Sequence, residues 1–92
     1  MKLTKGTKIY YGGDMANQEG FGVITRNDNI GYGEFVNIKM DDGRDFLQIP
    51  ISAFSEKYLG HGGTNFVTKE AYLKYKQEIL DRFYRKYVLK EV

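Results

Sequence analysis

One continuous stretch, residues 20–49, limits most strongly what this chain can fold into. It reads GFGVITRNDNIGYGEFVNIKMDDGRDFLQI, in which three runs of alternating apolar and polar residues are separated by two turn-forming segments. Alternation with a period of two is typical of strands that bury one face, and short turns between such runs favour antiparallel pairing. The stretch therefore predicts a three-stranded antiparallel meander.

The middle run carries the clearest alternation, because Val36, Ile38 and Met40 all point to one face of a strand. We expect these three side chains to form the inner row of the meander. Segment 27–29, Asn-Asp-Asn, is the predicted hairpin loop before this run. Segment 41–44, Asp-Asp-Gly-Arg, is the predicted tight turn after it, with the glycine supplying a positive φ.

The residues on either side of the meander extend this pattern. Segment 7–11 is β-prone and predicts a first strand with Ile9 and Tyr11 on one face, and the glycine-bracketed residues that follow predict a loop. After Pro50, which has no N–H to donate to a sheet, segment 51–54 fits either a short fifth strand or a single 3₁₀ turn. Residues 55–67 are predicted to be a connector.

Residues 68–90 predict one long helix. Thr68 is a suitable N-cap, and Glu70 lies in the first turn, where the helix dipole favours a carboxylate. Apolar side chains recur at spacings of three and four and make one face broadly apolar and aromatic. Because such a face needs a cover, we expect the helix to fold back across the sheet, and the alternative is a dimer interface. The face contains Tyr72, Leu73, Tyr75, Ile79, Leu80, Phe83, Tyr84 and Tyr87.

Length and composition predict one domain over residues 1–92, with α+β architecture. Hydrophobic residues make up 41% of the chain and charged residues 28%, which is ordinary for a folded globular protein. The absence of cysteine excludes disulfides and thiolate chemistry. With no apolar run long enough for a signal peptide or a membrane span, we expect a cytoplasmic protein that does not bind membranes.

The strand, Asp-Asp-Gly turn and strand unit at residues 36–46, together with the aromatic first strand and the Gly-x-Gly opening of the second, resembles a small SH3-like barrel of the Tudor and KOW kind. The resemblance covers residues 5–54, and the helix lies outside it. It implies an antiparallel barrel or strongly bent sheet that binds proteins or nucleic acid rather than catalysing a reaction. The aromatic cage of methyl-lysine readers is not carried over, because no acidic partner for it can be placed.

Two functions remain open at this stage. The first is a non-catalytic adaptor that binds another protein, as a monomer or as a weak homodimer through the helix. The second is a nucleic-acid-binding domain that uses basic and aromatic side chains, with phosphate contacts and base stacking. If the helix covers Tyr10 and Phe35, this surface is not free. The candidate surface consists of Lys8, Tyr10, Arg26, Tyr32, Phe35, Lys39, Arg82 and Arg85.

No segment carries a catalytic, metal-binding or cofactor-binding signature, so the prediction is a protein that is not an enzyme and that needs no cofactor. His61 has no second histidine or cysteine nearby, as a metal site would need. The surrounding glycines, 60–63, lack the lysine and hydroxyl residue of a phosphate-binding loop. The three aspartates of segment 41–45 fit turn chemistry better than a calcium loop.

Overall fold

Five β-strands and one helix account for most of residues 3–30, 33–56, 59 and 65–89, which are the residues that the computed structural model describes. The strands are β1 Lys8–Tyr11, β2 Gly20–Ile30, β3 Gly33–Met40, β4 Asp45–Pro50 and β5 Phe66–Thr68. A 3₁₀ turn, Ile51–Ala53, follows β4. The helix α1 covers Lys69–Phe83 and continues into a π-helical turn, Tyr84–Val88.

All five strands belong to one antiparallel sheet with the order β4-β3-β2-β1-β5. The three central strands of the order, β3, β2 and β1, come from the predicted meander and the predicted first strand. The last strand, β5, pairs with the first, β1, so the two ends of the β region are adjacent in the sheet. A parallel bridge between Phe54 and Phe66 links the segment after β4 to β5 and draws the two edges of the curled sheet together.

The concave face of this sheet holds the hydrophobic core. Val36, Ile38 and Met40 are at most 2% exposed, which confirms them as the inner row. Ile9 and Tyr11 share the same face, as the alternation in the first strand predicts. Burying branched and aromatic side chains on one face stabilises a small sheet that has no disulfide. The other members of the core are Leu3, Ile24, Phe54 and Phe66.

Two irregularities bend the sheet. The pairing of β2 with β3 shifts at Thr25, and the pairing of β3 with β4 shifts between Val36 and Ile38, opposite Leu47 and Gln48. Gln48 adopts a φ of 52°, unusual for a residue other than glycine, and its N–H donates to the Asn37 side-chain oxygen over 2.8 Å. Such β-bulges increase the local twist, so they help the sheet to curl around its core.

The predicted loop at residues 27–29 is wrong, because β2 continues through these residues to Ile30. Asn27 pairs with Val36 and Asp28 with Phe35, so the ladder extends past the polar residues. The Asn27 side-chain amide donates to the Leu3 carbonyl oxygen over 2.6 Å, which ties this part of β2 to the start of the chain. Pairing with β3 and this contact outweigh the turn preference of asparagine.

The turn between β3 and β4 is confirmed. Gly43 has a φ of 97°, its N–H donates to the Met40 carbonyl oxygen over 3.0 Å, and the Asp42 carboxylate accepts from the Arg44 N–H over 3.1 Å. Segment 51–53 is the 3₁₀ turn rather than a strand. Residues 66–68 form β5, a strand that the sequence did not lead us to predict. Phe66 and Val67 belong to the predicted connector, and Thr68 is the predicted N-cap.

The helix begins at Thr68, as predicted, where the hydroxyl accepts from the Ala71 N–H over 3.2 Å. Thr68 is also the last residue of β5, so the helix leaves the sheet edge without a loop. Its first turns contact β1 and β5. From Lys76 to Leu89 every residue is exposed, and the molecule is elongated, with extents of 53 × 26 × 20 Å.

These observations confirm the predicted α+β fold, a bent antiparallel sheet followed by one C-terminal helix. The helix packs on the sheet only through its first turns, however. The predicted packing of the helix on the sheet is therefore confirmed for these turns, and residues 76–89 stay exposed. The direct junction between β5 and the helix accounts for the difference, because the end of an edge strand sets the direction in which the helix leaves.

Candidate interaction surface

Five of the residues predicted to form a binding surface lie together on the outer face of the sheet. Lys8 and Lys39 are both opposite Val23, one on each side of β2. Two of the remaining three face outward because the adjacent Ile9 and Val36 face the core. The third faces outward because the shift at Thr25 pairs it with Asn37, which lies between the buried Val36 and Ile38. These three residues are Tyr10, Arg26 and Phe35.

The other three predicted residues do not join this face. Arg82 and Arg85 stand on the exposed far part of the helix. Tyr32 lies outside the described residues, as do His61 and the glycines at 60–63. The eight predicted residues therefore do not form one continuous surface among the residues that the structure describes.

Acidic neighbours offset part of the positive charge on the outer face. The Lys39 ammonium lies 3.3 Å from the Asp45 carboxylate, and the Arg26 guanidinium lies 2.8 Å from that of Asp28. Exposed ion pairs of this kind contribute little to stability, but each reduces the local positive potential. The outer face is therefore less favourable for a phosphate backbone than its basic residues alone predict.

The aromatic part of the outer face is covered by the first turns of the helix. The Tyr10 and Tyr72 rings stack with centroids 3.8 Å apart and planes 16° apart, and the Phe21 ring packs against both, at 5.4 Å and 5.6 Å. The Lys69 ammonium lies 5.0 Å from the centre of the Phe21 ring. Tyr10 therefore packs against the helix. Phe35 lies on β3 opposite Asp28 and Pro50 and takes no part in this cluster.

The Tyr10 hydroxyl donates a hydrogen bond to the Glu19 carboxylate. Burial raises the pKa of Tyr10, and the hydrogen bond to Glu19 raises it further. The hydroxyl therefore stays protonated under ordinary conditions and remains a donor. This bond links the loop between β1 and β2 to the strand on which the helix packs.

The same loop is organised by Asp14. Its carboxylate accepts from the Tyr11 hydroxyl and from the N–H groups of Ala16 and Asn17, each over 2.7 Å. These bonds, the one from Tyr11 first, lower the pKa of Asp14 from 3.8 to about 2. Burial raises the pKa of Tyr11 to about 12. The loop is thus a hydrogen-bonded turn whose tip presents the fully exposed Met15.

The largest apolar surface is on the helix beyond its contact with the sheet. We call it the helix stripe. Leu80 is 59% exposed, Phe83 58% and Tyr87 59%, and the Phe83 and Tyr87 rings lie 4.7 Å apart. The π-helical turn has a wider repeat than an α-helix, which rotates Tyr87 and Val88 toward the line of Phe83. The helix stripe consists of Leu73, Ile79, Leu80, Phe83, Tyr84, Tyr87 and Val88.

Periodicity in the sequence predicts the apolar face of the helix, but nothing in that pattern indicates that most of it stays exposed. The missed strand β5 did have a signal, since Phe66, Val67 and Thr68 are all β-prone residues that directly precede the helix.

The chemistry of the acidic turn at residues 41–45 is structural. The N–H of Arg44 donates to the Asp42 carboxylate, and this bond is the largest influence that lowers the pKa of Asp42. Within the described part of the chain, no three histidine, cysteine, aspartate or glutamate side chains come together as a metal site would require. No helix among the described residues is long and apolar enough to span a bilayer.

Comparisons of the chain with protein-family models, with curated proteins and with solved structures found no match. The candidate surface therefore has to be interpreted from its own geometry.

Proposed function

We propose that this protein is a non-catalytic interaction module in which a small SH3-like sheet presents a projecting helix to a protein partner. The observation that carries the proposal is the exposure of the helix stripe, seven large apolar side chains on one face of a helix that the sheet does not cover. Binding is favourable when a partner removes the apolar side chains of an amphipathic helix from water.

The sheet supports the SH3-like part of the proposal. The meander of β2, β3 and β4 leads through a 3₁₀ turn to a last strand that pairs with β1, an arrangement expected of such a barrel. The core on the concave face is already filled by side chains of the sheet and by Leu3 and Phe54 beside it. The helix stripe is therefore not needed to complete the core, which leaves it available for binding.

Size is the second argument. Taking about 150–200 Å² for a fully exposed large side chain, the helix stripe presents roughly 650 Å² at the exposures observed. The largest apolar patch on a typical monomer is about 300–600 Å², and each side of a standard protein interface buries about 800 Å². The stripe is thus large enough to form most of one side of an interface. The cysteine-free sequence supports a further proposal, that binding takes place in the reducing cytoplasm.

Site-specific photo-crosslinking in the source cell tests the proposal. A photoreactive phenylalanine analogue is placed at Phe83, inside the helix stripe, or at Leu47, which has similar exposure but lies on β4 rather than on the helix. We expect crosslinked protein products from position 83 and few from position 47. Equal labelling at both positions, or none at position 83, contradicts the proposal.

Nucleic-acid binding is the second candidate, and one observation favours it. Lys74, Arg82, Arg85 and Lys86 are all exposed on the helix, and none forms an ion pair within the described residues. If this candidate is right, affinity for an oligonucleotide falls steeply as salt is added and falls again when Arg82 and Arg85 are both replaced by alanine. Absence of chemical-shift changes with DNA and RNA oligonucleotides at low salt rejects it.

A further inference from the structure

We propose that the partner of the helix stripe is a second copy of this chain, with the two helices antiparallel. This inference rests on the proposed function, because it identifies what covers the stripe. Three features of the helix support it: the area of the stripe, the distribution of charge along the helix and the position of one lysine.

The area argument favours a symmetric interface. Two helix stripes facing each other bury up to roughly 1,300 Å² in total, since each presents roughly 650 Å². Standard-size interfaces bury about 1,200–2,000 Å², so this value lies at the lower end. A second copy also brings an apolar surface of the same length and width. We therefore expect a weak, concentration-dependent dimer rather than an obligate one.

The charge distribution favours the antiparallel direction. Segment 69–81 carries three lysines and three acidic residues, whereas segment 82–89 carries Arg82, Arg85 and Lys86 and no acidic residue. A parallel pair brings the two basic ends together, which is unfavourable. An antiparallel pair places each basic end beside the neutral half of the other helix, where Glu78 and Asp81 lie.

Between Leu73 and Val88, Lys76 is the one charged side chain within the angular range of the stripe, and it favours the same direction. In a parallel pair in register, Lys76 lies opposite its own copy in the apolar seam. When Leu80 lies opposite Phe83 of the second copy in an antiparallel pair, Lys76 lies opposite Tyr87. The face of a tyrosine ring attracts an ammonium group. Within one chain the Lys86 ammonium already lies 5.4 Å from the centre of the Tyr87 ring.

The antiparallel register also keeps the two sheets apart. With Leu80 opposite Phe83 of the second copy, the two Thr68 residues where the helices leave their sheets are separated by about 40 Å along the axis, at about 1.5 Å per residue. The sheet bodies therefore lie at opposite ends of the helix pair and do not collide.

Sedimentation equilibrium over a concentration series tests the self-association. We expect the wild-type chain to change from monomer to dimer as its concentration rises and Leu80→Asp to remain a monomer. Leu47→Asp is the matched control, because it makes the same chemical change at 66% exposure against 59% for Leu80, but on β4 rather than on the helix. It is expected to dimerise like the wild type. Circular dichroism confirms that both variants are folded.

Disulfide trapping tests the direction, and the chain has no native cysteine to interfere. Leu80→Cys and Phe83→Cys proteins are mixed and oxidised, and we expect the mixed 80–83 disulfide to form several times faster than either symmetric one. Glu78→Cys, on the polar face, is the control and is expected to crosslink poorly. Fast symmetric crosslinking at both positions, 80–80 and 83–83, indicates a parallel pair in register and overturns the antiparallel arrangement. Fast 80–80 crosslinking alone overturns the register that places Leu80 opposite Phe83.

A wild-type chain that stays monomeric at every concentration overturns the second-copy inference. Dimers that persist in Leu80→Asp overturn it as well, because they use another surface. The proposed function fails separately. A monomeric chain that still crosslinks to other proteins from position 83 remains an interaction module with a different partner, whereas a chain that crosslinks to nothing from this position is not one.

Discussion

At the scale of single residues, the hydrogen bonds of Asp14 determine the shape of the loop between β1 and β2. One carboxylate accepts from the Tyr11 hydroxyl and from two backbone N–H groups, so the loop is anchored to the buried ring of β1. The turn preference of aspartate is visible in the sequence. The hydrogen bond from Tyr11 to Asp14 is not visible there, because it depends on the path of the loop between β1 and β2 in three dimensions.

These bonds predict a specific pH dependence. The pKa of Asp14 is lowered in the folded state from 3.8 to about 2, so the folded state favours the charged form. The stabilisation is fully present above pH 3.8 and is lost as the pH falls toward 2. The difference in free energy of unfolding between the wild type and Asp14→Asn should therefore shrink between about pH 5 and pH 2. Urea unfolding at several pH values measures this difference.

Asp41→Asn is the control for this experiment, since within the described residues the Asp41 side chain accepts no hydrogen bond. We expect its stability to run parallel to that of the wild type over the same pH range. A carboxyl carbon NMR titration that places the pKa of Asp14 at its ordinary value contradicts the hydrogen-bonded loop.

At the scale of elements, the register of β2 against β3 is the tightest feature of the sheet. Gly22 pairs with Ile9 on one side and Met40 on the other, and a Cβ at this position would lie 2.8 Å from both the Lys39 carbonyl oxygen and the Met40 sulfur. Backbone and a buried side chain both obstruct the added carbon. The Gly-x-Gly opening of β2 thus has a packing reason at its second glycine.

Gly22→Ala should consequently lower the free energy of unfolding by about 2 kcal/mol or more, because the clash forces a backbone or core shift. Gly20→Ala is the matched control on the same strand. A Cβ there meets only the ends of the Met40 and Arg44 side chains, at 3.4 and 3.5 Å. We expect it to change stability by less than about 1 kcal/mol. Equal losses in the two variants, measured by urea unfolding, would show that the register is not as described.

At the scale of the whole molecule, the sheet and the first turns of the helix form the packed body, and the rest of the helix projects from it. Tyr72 is the last residue of the helix that joins the aromatic cluster on the outer face. Residues 76–89 are all exposed. The buried contacts therefore belong to the packed body, and the proposed binding surface lies on the projecting part of the helix.

Truncation tests this division. A chain that ends at Lys76 should keep the free energy of unfolding of the full chain within about 0.5 kcal/mol, because the removed residues bury little against the sheet. A chain that ends at Ala71 also loses the stacking of Tyr72 on Tyr10 and should be less stable by about 1–3 kcal/mol. Both are compared with the wild type at concentrations low enough to exclude dimers. A large loss on the first truncation would mean that the far helix covers the sheet.

The sequence by itself determined the features that depend on neighbouring residues. Alternation identified the inner row of Val36, Ile38 and Met40, and turn chemistry identified the tight turn with Gly43 at positive φ. The N-cap at Thr68 was equally predictable. Side-chain period, turn preference and capping are local properties, so a single sequence is enough to reveal them.

Only the tertiary structure decided the features that depend on distant pairs. The turn-prone Asn27 and Asp28 became strand because β3 pairs with them, and Phe66 to Thr68 became strand because β1 was available at the sheet edge. Tyr10, predicted to lie on a binding surface or under the helix, is stacked on Tyr72. An amphipathic helix can either cover a sheet or project from it, and its own sequence does not distinguish the two. Here the direct junction with β5 directs the helix outward and leaves its stripe exposed.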